Sequence, residues 1–145
     1  MFKNLLILLL SFFLLFSCSK DKENAKIISE PNDQELAANI YAEAVDALKK
    51  GDAFYASKKF KEVESLIPQS KWAVKASLMS SYADYNRNAY SNAIFGLERH
   101  ITNYPADENI SYAHYLIAMC YYEQILNEKK DLNPLLQAKE KFEFI

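Results

Sequence analysis

The chain has 145 residues, of which 50% are hydrophobic and 25% charged, and a formal net charge of -2. That length allows one domain with a moderate core, and a charge this close to neutral excludes a protein that holds nucleic acid through a basic surface. No metal-spaced set of His, Cys and carboxylate residues, no glycine-rich phosphate loop and no nucleophile motif occurs, so catalysis has no visible carrier and no cofactor is expected.

The first element is a secretory signal over residues 1–17. Lys3 precedes an apolar run from Leu5 to Phe16, broken by Ser11. The run is shorter than the ~20 apolar residues that span a bilayer, and a basic start, a short apolar centre and a small residue before the cut describe a cleaved leader. Leu15-Phe16-Ser17-Cys18 resembles a bacterial lipobox, in which the cysteine becomes the lipidated first residue; this predicts Cys18 as the lipid attachment point. Several acyl chains anchor firmly, since each buried CH₂ contributes about 0.8 kcal/mol and one chain alone is marginal. By resemblance to enterobacterial sorting, Ser19 instead of aspartate after the cysteine directs the protein to the outer membrane. Loss of Lys3 with the leader leaves 16 basic against 19 acidic side chains.

Residues 18–34 read as a flexible tether. Lys20-Asp21-Lys22-Glu23-Asn24 and Pro31-Asn32-Asp33 carry no apolar period, and sixteen coil residues reach roughly 20 to 25 Å, enough to hold a domain off a membrane and let it turn. The first helix is predicted to begin between Pro31 and Glu35, with Asn32 or Asp33 as its cap.

From residue 35 the chain repeats its own outline. Tyr85, Tyr90, Ala93 and Pro105 answer to Leu48, Ala53, Ala56 and Pro68, each pair 37 residues apart, a period expected of a helical repeat array. In the unit 35–70, Ile40, Ala44, Ala47 and Leu48 form one apolar stripe and Ala56, Phe60, Val63 and Ile67 another, with Gly51-Asp52 between. In the unit 71–107, Ala76, Met79 and Ala83 line one helix, Ile94, Leu97, Ile101 and Tyr104 the other, and Asn88 holds the glycine position. Alanines let the helix axes approach, and neither pair can bury its stripe alone. The unit 108–145 opens near Asp107 to Asn109. Eight more residues separate Tyr122 from Ala138 than Tyr85 from Ala93, which predicts an extended loop carrying Asn127 to Asp131 and Asn133-Pro134, after which Ala138 and Phe142 repeat Ala56 and Phe60. Ile145 stands in the middle of that stripe, as expected of the front part of a longer protein whose third unit is incomplete.

These alanine, aromatic and proline slots resemble tetratricopeptide repeats, although Leu97 and Ser81 stand where an aromatic and a Gly or Ala are usual. The lipobox cysteine, the polar tether, the run from His114 to Tyr122 and the long loop ending in Ala138 more specifically resemble the BamD family, the lipoprotein of the β-barrel assembly machinery. The resemblance implies an all-α fold of antiparallel helix pairs stacked as a right-handed superhelical solenoid, of which this chain supplies two units and most of a third. It also implies a non-enzymatic role at the periplasmic face of the outer membrane, receiving unfolded outer-membrane protein precursors and meeting the barrel-forming subunit.

Ten tyrosines supply the candidate site. In tetratricopeptide arrays first-helix positions line the concave groove, and Tyr82, Tyr85 and Asn86, with Tyr115, Met119, Tyr122 and Glu123 one unit later and Tyr41 earlier, form such a face. Tyrosine combines a large contact area, little entropy to lose and a hydroxyl for backbone groups. The same rings could instead fill the gaps between stacked units, a reading that weighs most on Tyr82, Tyr112 and Tyr121. His100 and His114 read as packing or surface residues, Cys120 as a buried thiol without a disulfide partner once Cys18 is acylated, and Lys58-Lys59 with Glu62 and Glu64 as a solvated face. Two other classes fit the repeats: a periplasmic scaffold for envelope constriction or cell-wall synthesis, and a wall hydrolase whose catalytic domain follows residue 145.

Overall fold

The computed structural model describes residues 31–125 and 131–145; the leader, the lipobox with Cys18 and most of the tether lie outside them. Six α-helices follow one another: α1 Pro31–Lys49, α2 Ala53–Leu66, α3 Lys71–Asn86, α4 Tyr90–Asn103, α5 Ile110–Glu123 and α6 Asn133–Phe144. No strand occurs among the described residues. Each helix packs against the next, α1 also touches α3, and α3 touches α5, whereas among the described residues the backbones of α2, α4 and α6 do not approach one another. The first helices therefore form a continuous inner layer and the second helices stand apart outside it, the arrangement of a tetratricopeptide-like all-α solenoid.

The turns explain the 37-residue period. Gly51 has φ +86° and Asn88 φ +62°, the left-handed conformation that glycine adopts freely and asparagine tolerates. Asp52 N–H donates to Ala47 O and Gly51 N–H to Leu48 O; one period later Ala89 N–H donates to Asp84 O and Asn88 N–H to Tyr85 O. Both are Schellman closures, which satisfy the last carbonyls of α1 and α3 and fold the chain back. Asp52 then caps α2 by accepting from Tyr55 N–H, and Ser70 caps α3 by accepting from Ala73 N–H. A third left-handed residue, Gln69 with φ +60°, turns α2 into α3. At the front, Asn32 and Asp33 lie inside the first turn of α1 and do not cap it. There the Asp33 carboxylate favours the positive end of the helix dipole.

Two apolar clusters share α3. Ile40, Ala44, Phe60, Val63 and Ile67 meet Ala76 and Ala83 of α3, with Tyr41 and Trp72 packed on the outside. Leu78 on the other side of α3 joins Leu97, Ala113, Leu116 and Ile117. The helix is buried on two faces, which is why half of its residues are inaccessible and why it lacks a single apolar stripe. It also approaches α4 closely: a Cβ added at Gly96 would sit inside van der Waals contact of Ser81 Oγ and 3.3 Å from Ser81 Cβ. Ser81, standing where a smaller residue was expected, is thus accommodated by Gly96 opposite.

The third unit departs from expectation at two points. Asn133-Pro134 does not belong to the loop; it opens α6, where proline's missing N–H costs nothing. Residues 126–130 of the loop lie outside the described residues. Ala138 is buried like Ala56, but Phe142 is 40% exposed where Phe60 is 0%. Phe60 is enclosed by α1 and α3, whereas among the described residues α6 contacts only α5, and Phe142 meets the Tyr115 ring edge to face with the rest of its surface less covered.

Candidate functional site

The inner layer gathers the tyrosines on α1, α3 and α5, but not equally. Tyr41 is half-buried, its ring 5.1 Å from Phe60 and 5.2 Å from Trp72. It fills the space between the first unit and the second. Tyr82 and Tyr85 are half-buried against the second apolar cluster. Tyr85 lies 6.0 Å from the Tyr90 ring, and burial first, then the negative charge of Glu123, raises its phenol above the ordinary range. Like any phenol near neutral pH, its hydroxyl is protonated and able to donate. Tyr90 is raised by the same two causes, so Tyr85, Tyr90 and Glu123 share one neighbourhood at the end of α3 and α5. Asn86 is exposed. On α5, Tyr115 stacks with Tyr112 at 6.1 Å, Met119 is half-buried, Glu123 is exposed and Tyr122 is 56% exposed. This face can offer aromatic area, phenol donors and one carboxylate. Tyr122 is its most open aromatic, and Tyr41 its least available.

The outer layer holds a second feature that the tyrosine pattern did not point to. An open groove of about 820 Å³ runs between α2 and α4, with Ser80, Ser81 and Asp84 of α3 as its floor. Asp84 is 2% exposed and carries the charge of the floor, accepting from Lys61 Nζ of α2 at 3.0 Å and from Arg87 Nε at 2.9 Å. Across the opening, Arg99 of α4 donates to Glu64 of α2 at 2.7 Å. Glu64 thus ties two units together instead of facing solvent, while Lys59 pairs with Glu62 at 3.0 Å, as a solvated face would. The groove was legible in one respect: Asn92, Gly96, Arg99 and Asn103 recur at i, i+4, i+7 and i+11 along α4, a polar stripe of helical period.

His100 closes α4. It is fully buried, its Nε2 3.0 Å from Asp107 Oδ2 and its Nδ1 without a partner. Burial lowers its pKa below the usual imidazole value, against the pull of Asp107. His114 is half-buried with its ring centroid 4.4 Å from that of Phe144. Both serve packing. Cys120 is buried and free, its thiol pushed up to about 12 by burial, so at neutral pH it is a small hydrophobe. Among the described residues no group of His, Cys and carboxylates could hold a metal ion, and no helix is long and apolar enough to cross a membrane.

A stacked array of helix pairs with an aromatic inner face and a polar outer groove defines a helical-repeat scaffold. Residues 33–145 match the family model YfiO, described as an outer membrane lipoprotein. The chain is 35% identical over 121 residues to an outer membrane protein assembly factor BamD of Caulobacter vibrioides, covering 83% of this chain and 39% of that protein. It is 29% identical to the factor of the same name from Xylella fastidiosa, over 77% of this chain and 36% of that one. For the Rickettsia prowazekii factor the identity is 28%, over 94% and 52% respectively. The chain belongs to this YfiO/BamD family of outer-membrane lipoproteins, which places it at the outer membrane. It spans between about a third and a half of the length of these curated relatives.

Proposed function

We propose that the protein is a non-catalytic periplasmic scaffold of the β-barrel assembly machinery, held to the outer membrane by lipid on Cys18. It binds unfolded outer-membrane protein precursors along the inner tyrosine face and meets the barrel-forming subunit. The carrying observation is membership of a family whose relatives bear the name of assembly factors, joined to an aromatic, hydroxyl-bearing face on the inner helices. Such a face suits extended apolar-polar chains, because tyrosine gives contact area and a donor at low entropic cost. The test is photocrosslinking in intact envelopes from benzoylphenylalanine at Tyr122 of the complete protein. Adducts with barrel precursors are expected. Adducts with wall-synthesis or constriction proteins in their place would sink this reading and favour a scaffold of the cell envelope.

A further inference from the structure

The groove between α2 and α4 has the dimensions of a ligand site, and three features of its lining define what fits. Its charges cancel in pairs: Lys61 is bonded to Asp84 and Arg99 to Glu64, so a charged ligand would have to break an existing ion pair. Its serine hydroxyls are engaged, those of Ser65, Ser80 and Ser81 donating to backbone carbonyls, but its carboxamides are free. Among the described residues the side-chain amides of Gln69, Asn92 and Asn103 make no hydrogen bond, and each offers two donors and an acceptor. Its one large exposed apolar group is Phe95, 70% exposed and off the buried stripe of α4.

An incoming helix would arrive with its backbone already bonded and would need an apolar stripe to rest on. A single phenylalanine does not provide one. An extended chain arrives with free N–H and C=O groups, which are what carboxamides pair with. Asn92 and Asn103 lie eleven residues apart on α4, roughly 16 Å of helix and so about five residues of extended chain. We infer that this outer groove binds an uncharged, extended polypeptide segment of about five residues, whose peptide groups bond the three carboxamides and whose aromatic side chain rests on Phe95. The identity of that segment rests on the proposed function. Strands of outer-membrane barrels alternate apolar and polar residues and carry aromatic girdles, so unfolded precursors supply segments of this class, and the array would hold them on two faces.

The full-length protein carrying benzoylphenylalanine at Phe95, or separately at Tyr122, is mixed with a urea-denatured outer-membrane barrel protein on rapid dilution. A crosslink at Phe95 is expected, and its yield at limiting probe should fall about tenfold when Asn92→Lys and Asn103→Lys place charges on the groove. Both asparagines are exposed, and circular dichroism checks that the helices persist. A crosslink at Tyr122 with none at Phe95 overturns the groove and leaves the proposed function standing. No crosslink at either position overturns both. A Phe95 crosslink that the two lysines do not diminish is chance collision, and also overturns the groove.

Discussion

His100 shows how much one side chain commits the fold to a charge state. Its ring is inaccessible and has one polar partner, Asp107, while Glu64 adds to the favourable field and Arg99 opposes it. Desolvation wins, so the folded-state pKa lies below the ordinary value. The unfolded chain then binds more protons as pH falls, and the stability that neutral His100 confers is complete above the unfolded imidazole pKa of ~6.5 and lost as pH drops through the folded value. The thermal midpoint should therefore fall between pH 7 and pH 5, and His100→Gln should flatten that slope. A slope unchanged in the variant would mean that other groups, His114 among them, govern it. No pattern in the sequence distinguished His100 from a surface histidine, because its burial depends on how α4 meets the following turn.

At the scale of elements, the helix pairs were legible because their stripes keep helical period and their turns carry Gly51 and Asn88. Gln69 was not, since nothing in its side chain marks a left-handed turn. Ser81 departs from the Gly or Ala usual in its repeat slot, whereas Gly96 sits in an otherwise ordinary helix and reveals its purpose only opposite that serine. Gly96→Ala gains helix propensity of up to ~1 kcal/mol but forces the Ser81 hydroxyl out of a buried position where it donates to Ser77 O. Overpacking of this kind costs about 1–3 kcal/mol, so the net effect expected in urea denaturation is destabilising. Adding Ser81→Ala should recover part of the loss. A Gly96→Ala protein at least as stable as the parent would show that α4 shifts outward freely. The candidate site was legible to a similar extent: tyrosine spacing located a face, but the sinking of Tyr41 between Phe60 and Trp72 is a property of how two units dock, which no single helix encodes.

For the molecule as a whole, two apolar clusters joined by one helix imply graded stability. Leu116→Ala removes a nearly buried side chain from the second cluster, a loss of ~2–5 kcal/mol where the cavity stays open. In a linear array this loss should fall on α4, α5 and α6, with α1 and α2 held by the first cluster. Amide hydrogen exchange of the substituted protein should show lost protection in α5 and α6 and retained protection in α2. Uniform loss along the chain would mean that the array unfolds as one cooperative unit.

The contact between Ser81 and Gly96 also constrains how the sequence can drift. An alanine at 96 is tolerable only after the hydroxyl at 81 has gone, and a larger residue at 81 only while 96 stays bare. The two positions are therefore bound to an order of change, and across descendants of this chain they should vary together: where one gains atoms, the other will already have lost them.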